Sequence, residues 1–311
     1  MRISILLSFL LLSSFGFSQF GGFSGRNWKR NTREFRMGFG ATGFLGDLGG
    51  RDQIGTDYSP IDLDWKATSF SFMTGYRWRF APQWAFTSDL SFGMLRGSDQ
   101  FTQEIIRSSR NLHFRAPVIH SSNRLEFIVY AYEKSGRRYD LSVRKGSHHY
   151  NNQIYLFAGV GAMCFIPQAD FGSGWTNLRP LSTEGQGFAD GAKKYSNFTV
   201  TVPLGLGMRL ATGKYWRLGI EATYHMTYSD YIDDVSTVYY DPAVLAASIG
   251  PDAALASNPA IGNQNWFAPG QQRGDPSTKD AILYVNLVFS KNITVSSFRI
   301  RTERWKGKTK F

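Results

Sequence analysis

Apolar and polar residues alternate one by one through much of this chain. Such a period of two predicts a β-strand with one apolar and one polar face. The clearest run covers residues 198–210, where Thr199, Gly205 and Arg209 lie on the polar face. We find eight such runs, at residues 35–45, 70–80, 84–94, 118–132, 154–166, 198–210, 216–228 and 281–289. The pattern predicts an all-β protein built from eight antiparallel strands.

Charged residues occur on the polar faces of these strands, together with many glycines. They are Arg36, Arg77, Arg79, Asp89, Arg124, Glu126, Arg209, Arg217 and Glu221. In the dry centre of a soluble sandwich each charge would lose its hydration, at a cost of several kcal/mol. In a closed membrane barrel the same faces line a lumen, and the apolar faces contact lipid. We therefore predict an eight-stranded antiparallel transmembrane outer-membrane β-barrel whose narrow lumen is filled by a network of these nine charges.

The lengths of the connections predict the orientation of this barrel. Those at 81–83 and 211–215 are short, and those after the first, third, fifth and seventh strands are long. Outer-membrane barrels keep short turns in the periplasm and long loops outside the cell. The segment 134–152 breaks this rule, because it is long, basic and on the periplasmic side; we interpret it as a small hairpin extension.

The segments before and after the predicted barrel differ in composition and charge. Residues 1–18 have the charge, short apolar run and small residues of a secretory signal peptide, and the run is too short to span a membrane. We expect a periplasmic segment at 19–33, the barrel at 34–290 and a basic periplasmic tail at 291–311. That tail has a net charge of +6 out of +11 for the chain. Its candidate partner-binding residues are Arg299, Arg301, Arg304, Lys306, Lys308 and Lys310.

Three interpretations of the tail remain open: a solvated segment, a docking segment for a periplasmic protein, and a membrane-surface patch. Nucleic acid is not an expected partner in this compartment, despite the basic composition. Outer-membrane lipids are expected to surround the barrel.

Candidate chemistry is sparse. The loop 229–280 contains Asp230, Asp233, Asp234 and Asp241 and a predicted short helix near 242–249. Clustered carboxylates can bind Ca²⁺, but the spacing is not that of an EF-hand, and a solvated outer loop is the favoured interpretation. His148 and His149 are adjacent, but no cysteine or suitably spaced acidic residue nearby would complete a zinc site.

Catalytic motifs are not evident either. His225 shares a face with Glu221 like a base with its orienting acid, but a hydrogen-bonded lumen histidine explains it more simply. The sequence contains no nucleophile elbow, phosphate-binding loop or dinucleotide fingerprint. We predict no catalytic residues, no metal and no cofactor, and therefore no enzymatic activity.

Several motifs together resemble a known family. They are LGDLGG (45–50), RNLHFR (110–115), YLFAGVG (155–161), PLSTEGQG (180–187), PLGLGMR (203–209), SDYIDDVSTVYYD (229–241) and RGDPSTKDA (273–281). In this order they resemble the PorG-like outer-membrane barrels of the Bacteroidota type IX secretion system. The insertion at 134–152, the length of loop 229–280 and the basic tail depart from the usual pattern, so a specialised paralogue remains an alternative.

The resemblance implies a function in protein secretion, and in gliding where that occurs. Such a barrel associates with the periplasmic ring of a lipoprotein and its partner, of the PorK/PorN or GldK/GldN type, and anchors it to the outer membrane. The alternative is a standalone structural or adhesive outer-membrane barrel, or a lipid-modifying barrel enzyme.

Overall fold

The computed structural model describes residues 27–48, 65–101, 104–134, 150–172, 174–213 and 215–293. The predicted signal peptide, most of the 134–152 insertion and the six basic tail residues lie outside these ranges. The strands are β1 (Arg33–Leu45), β2 (Ser69–Arg79), β3 (Trp84–Ser98), β4 (His113–Lys134), β5 (Tyr150–Phe165), β6 (Gln168–Asp170), β7 (Trp175–Asn177), β8 (Phe198–Ala211), β9 (Trp216–Thr227) and β10 (Ala281–Asn292). Short α-helices are α1 (Ile105–Arg110), α2 (Pro242–Ser248) and α3 (Pro251–Ser257).

Eight of the strands close into an antiparallel barrel. Their order is β3-β2-β1-β10-β9-β8-β5-β4, and pairing of β3 with β4 completes the ring. The predicted eight-stranded barrel is therefore confirmed. The remaining strands, β6 and β7, form a small hairpin that extends the edge of β4, where Arg115 is opposite Gln168.

The outer surface of the barrel is apolar. Leu204, Leu206 and Ile220 are 40–57% exposed, and the neighbouring strands present similar side chains outward. Soluble monomers rarely expose a continuous apolar band of this size, whereas lipid covers such a band on an outer-membrane barrel. The protein is thus an outer-membrane barrel, with the predicted apolar faces directed to lipid.

The alternation is interrupted once, in β4. A bulge between Ile128 and Tyr130 shifts the register against β5. Uninterrupted alternation would turn Tyr130 into the lumen, but the bulge keeps it exposed and buries Ala131 instead. An extra residue in one strand reverses the faces of everything beyond it.

The two ends of the barrel differ as the connections predicted. Tight turns join β2 to β3 and β8 to β9, and Ala81 and Trp84 exchange backbone hydrogen bonds across the first of them. At the other end the lumen is apolar, with Phe44, Phe114 and Phe165 packed together. Ile232 and Val235 from the connection after β9 join the same cluster. The long connections therefore close the extracellular mouth.

The described helices are all short. Within the part of the chain that the structure describes, none has the length and apolar character that crossing a membrane requires. Helix α2 begins after Asp241, whose side chain accepts a hydrogen bond from the Ala243 N–H. The predicted short helix near 242–249 is confirmed.

Candidate functional site

The nine predicted charges lie together in the periplasmic half of the lumen, and all are buried. They are Arg36, Arg77, Arg79, Asp89, Arg124, Glu126, Arg209, Arg217 and Glu221. One ion-pair network, which we call the lumen network, joins Arg36, Arg77, Asp89, Arg124, Glu126, Arg209, Arg217 and Glu221. Arg79 donates from Nε to the Pro82 carbonyl oxygen at 3.1 Å, next to the periplasmic turn.

Glu126 on β4 has three arginine partners in this network. Arg77 donates from Nε to its Oε2 at 2.6 Å, and Arg36 donates from Nη1 to its Oε1 at 3.1 Å. Arg209 contacts Oε2 at 3.3 Å. The Thr87 hydroxyl also donates to Oε1. Three charged donors and one hydroxyl therefore occupy the roughly four lone-pair sites of the carboxylate, and Glu126 is satisfied without water.

A ninth member of the network, Glu34, was not predicted. Its carboxylate accepts hydrogen bonds from Arg209 and Arg217, each at 2.9 Å. The predicted strand began at residue 35, two positions after the observed start of β1 at Arg33. Extending the alternation by a single residue places Glu34 on the face of Arg36, so the signal was present in the sequence.

The third set of contacts crosses the centre of the barrel. Arg124 donates to Asp89 at 2.5 Å and to Glu221 at 3.1 Å. Arg36 and Tyr155 also donate to Glu221. Glu221 therefore neutralises guanidinium groups, and it does not orient His225.

Two histidines and a tyrosine lie between the lumen network and the apolar cluster. The rings of His120 and His225 meet edge to face with centroids 4.3 Å apart, and the Tyr284 ring is 5.0 Å from His225. His120 Nε2 pairs with Thr201 Oγ1 at 2.7 Å. The Nδ1 atoms of both histidines have no hydrogen-bond partner, so the hydrogen-bonded histidine predicted at 225 is buried in the lumen but unpaired at Nδ1.

The long connections fold into a compact structure over the extracellular mouth, which we call the cap. It contains the described residues of the connections after β1, β3, β7 and β9. Arg110 links three of them: its Nε donates to Asp99 at 2.7 Å, and its Nη groups donate to the carbonyl oxygens of Asp47 at 2.8 Å and Arg273 at 2.7 Å.

A second arginine joins the remaining connection to the cap. Arg273 donates from Nη1 to Glu184 Oε1 at 3.0 Å and to the Asp234 carbonyl oxygen at 2.6 Å. Glu184 also accepts the N–H groups of Ser236 and Thr237. The Arg273–Glu184 ion pair and these hydrogen bonds together link residues from three separate motifs.

Asp230, Asp233 and Asp234 of the loop are buried and Asp241 is exposed, so the expected solvated outer loop is wrong for the first three. Asp233 accepts the N–H groups of Leu48 and Val235, both at 3.0 Å. Asp280 accepts the Ile232 N–H at 2.9 Å, and Asp230 accepts the Ser236 hydroxyl. These carboxylates replace water as partners of loop N–H groups, because a closely packed cap leaves those groups no access to solvent.

Burial also changes the acidity of these groups. It raises the pKa of Asp230 to about 7 and that of Asp47 to about 6. Burial, together with their negative neighbours, also raises the pKa values of Asp233 and Asp280 well above the ordinary value. Among the residues that the structure describes, no group of three or more His, Cys, Asp or Glu side chains is arranged to hold a metal ion. The carboxylates act as hydrogen-bond acceptors that hold the loop, and Asp241 caps α2 away from them.

Five of the seven motifs that carry the family resemblance contribute to this cap. Asp47, Arg110, Glu184 and Arg273 come from four of them and are linked by hydrogen bonds. Asp233, from the fifth, accepts the N–H of Leu48, which is in the same motif as Asp47. Sequence reasoning singled out only the aspartates of 229–241. The arginines and Glu184 were in the quoted motifs, but the motifs alone do not specify which residues meet.

Comparison with known proteins adds little to this description. No protein-family model matches the chain, and no curated protein matches it. The similar solved structures include Neisserial surface protein A, at 9% identity and a TM-score of 0.34 over 84% of this chain and 97% of that one. Another is Ail, the attachment invasion locus protein of Yersinia pestis, in complex with the heparin analogue sucrose octasulfate, at 8% identity and a TM-score of 0.33 over 84% and 97%. Because these scores are low, the assignment of an eight-stranded barrel rests on the strand pairing of this chain.

Proposed function

We propose that this protein is an anchoring component of the type IX secretion system, which holds the periplasmic ring of the PorK/PorN or GldK/GldN type at the outer membrane. The observation that carries the proposal is the filled lumen. Ion pairs occupy its periplasmic half and apolar side chains its extracellular half. A barrel that is filled along its length acts through its surfaces, and anchoring is a surface function.

The periplasmic end has the charge that a docking surface needs. Lys29, Arg33 and Lys291 are exposed there, and the tail beyond 293 adds six basic residues against Glu303. Charge complementarity of this kind steers association and fixes orientation. The family resemblance supplies the identity of the partner, an acidic face of the ring lipoprotein or its companion.

Affinity purification of the tagged barrel after mild crosslinking tests the proposal. We expect the ring lipoprotein to be recovered with the barrel; recovery of the barrel alone would contradict the anchoring function. The truncation should remove residues 294–311, because β10 extends to Asn292 and an earlier cut would shorten a barrel strand. We expect truncation to reduce recovery at low salt, and the difference to shrink at high salt.

A tail in which the six basic residues are replaced by glutamine is the matched control. It keeps the length of the tail and removes its charge, so it should behave like the truncation if docking is electrostatic. Full recovery with the neutral tail would show that the tail charge does not contribute.

A second function is favoured by the outer surface of the cap. Ile105 and Ile106 on α1 are 71% and 52% exposed, and Ile261 is 66% exposed. Ile261 is close to α1, since its N–H donates to the Ser109 carbonyl oxygen at 2.8 Å. Exposed apolar side chains grouped on a rigid surface are typical of protein-binding sites, so the cap is a candidate adhesive surface.

Export and adhesion assays separate the two functions. If the barrel is an adhesin, a deletion strain exports type IX cargo normally, and Ile105→Ser combined with Ile261→Ser abolishes surface binding. If it anchors the ring, the deletion impairs export and the double variant exports normally.

A further inference from the structure

Two arginines face each other on the outside of the barrel near its extracellular end. In the register of β3 against β4, Arg96 is directly opposite Arg115. Side chains directly opposite on antiparallel strands have Cβ atoms about 4.5–5.5 Å apart, and like charges at this distance destabilise the sheet. The other pairs of this ladder have a charged residue on one strand at most, so the sequence places a repulsive pair at this position alone in the ladder.

The position of this pair relative to lipid is defined by the same ladder. Toward the membrane centre, the outward pairs are Met94 with Pro117 and Phe92 with Ile119. Phe92 and Ile119 are exposed to lipid at 39% and 54%. The arginines come one outward pair beyond this apolar band, which places them at the headgroup level of the outer leaflet.

Neighbouring residues hold one of the arginines in place. The Arg115 guanidinium lies 4.0 Å from the centroid of the Trp175 ring on β7, and its Nε donates to Gln168 Oε1 at 2.9 Å. An exposed tryptophan at the interface is itself typical of headgroup contact. The stacking fixes the direction of the guanidinium, so the positive charge next to Arg96 cannot swing away.

The carboxylates that the structure describes do not neutralise the pair. Across the described ranges, no salt bridge joins Arg96 or Arg115 to an acidic side chain. The nearest hairpin contains Asp170, but its Oδ1 accepts the N–H groups of Gly172 and Gly174. Because no acidic side chain among the described residues relieves the repulsion, an external anion would relieve it.

We propose that Arg96 and Arg115, with Trp175, form a binding site for a phosphate group of an outer-leaflet glycolipid such as lipid A. Guanidinium groups bind phosphate oxygens in a bidentate manner, and two of them on adjacent strands can share one phosphate. The apolar ladder below contacts the acyl chains of the same lipid, and Trp175 packs against its sugar headgroup. The lipid thereby stabilises the top of the β3–β4 pair, which supports the cap.

Binding of lipid A to the purified barrel in detergent tests this site, with native mass spectrometry to count bound lipids. We expect diphosphorylated lipid A to bind more tightly than its dephosphorylated form. Replacing both arginines, Arg96→Gln with Arg115→Gln, should weaken binding of the diphosphorylated form roughly 30-fold, since each basic residue at a lipid surface contributes about a fivefold preference.

Two basic residues at the periplasmic end of the barrel provide a matched control. Arg33 and Lys291 are also exposed on the outer surface, at the periplasmic rim, where Lys291 lies 5.2 Å from the Trp216 ring. The variant Arg33→Gln with Lys291→Gln removes the same charge and should bind lipid A as the wild type does. Equal losses in the two double variants, or equal binding of the two lipid A forms, would overturn the proposal.

Thermal unfolding gives a second readout that does not depend on lipid counting. Without lipid A, the Arg96→Gln, Arg115→Gln variant should unfold at a temperature equal to or above that of the wild type, because the repulsion is removed. Addition of lipid A should raise the unfolding temperature of the wild type only. An equal rise in the unfolding temperature of the double variant would contradict the proposed site. The assay uses the barrel alone, so its outcome is independent of ring docking.

Discussion

Glu126 shows at the residue scale how the lumen depends on complete charge pairing. Its replacement by glutamine keeps the shape of the side chain but leaves Arg36, Arg77 and Arg209 with one fewer negative charge among them. Leaving buried charge uncompensated costs about 3–5 kcal/mol. We expect Glu126→Gln to lower the free energy of unfolding by that amount, measured by urea unfolding in lipid vesicles with tryptophan fluorescence.

The exposed Asp252 on α3 provides the control for this change. Asp252→Asn removes one negative charge where water already solvates it, so its effect should stay within about 0.5 kcal/mol. Equal unfolding midpoints for the two variants would show that the lumen network does not stabilise the barrel.

The sequence predicts which residues enter the lumen network but not which of them pair. Alternation decides the face of each side chain, so eight members were identified from their positions alone. The pairs cross the barrel, and Arg36 and Glu221 are 185 positions apart. Their meeting depends on the shear and closure of the whole sheet, which no local pattern contains.

At the scale of elements, the loop after β9 should respond to pH through its buried carboxylates. Asp47, Asp230 and Asp280 have pKa values in the folded cap above their ordinary values, near 6 and 7 for the first two. Groups with raised pKa values contribute stability that is fully present below their unfolded pKa, about 4, and is lost as pH rises through the folded values. The cap should therefore be most stable at acidic pH and loosen as pH rises from about 4 to about 7, and the raised pKa of Asp280 acts in the same direction.

Hydrogen exchange of the backbone in 229–236, corrected for the intrinsic pH dependence of exchange, measures this effect. We expect stronger protection at pH 5 than at pH 8. Asp280→Asn should reduce the difference, because the amide oxygen still accepts the Ile232 N–H while one charge is removed. The charges of Lys279, 3.9 Å from Asp230, and Arg110 near Asp47 oppose the shift and are unchanged in this variant. Equal protection at both pH values would show that ionisation of these carboxylates does not destabilise the cap.

Strands and loops also differ in how far the sequence could predict them. The strands were located within a few residues because lipid and lumen impose a period of two along each one. The contacts of the cap could not be predicted in this way, because residues such as Arg110 and Arg273 meet through backbone carbonyl oxygens of irregular loops. Composition alone suggested a solvated loop, and only the fold shows that its carboxylates are buried.

For the whole molecule, the filled lumen predicts a barrel without a stable pore. Eight strands enclose an interior that side chains can fill, and here the arginines and carboxylates of the lumen network are followed by the apolar cluster around Phe114 and Ile232. Reconstituted in planar bilayers, the protein should show no sustained single-channel current, because an ion crossing it would have to pass both layers. The variant Glu126→Gln tests the lower layer: the apolar cluster above it is intact, so it should stay closed even as its stability falls. Sustained current in the wild type would show that the cap opens in a membrane, and the surface function inferred from the filled lumen would lose its basis.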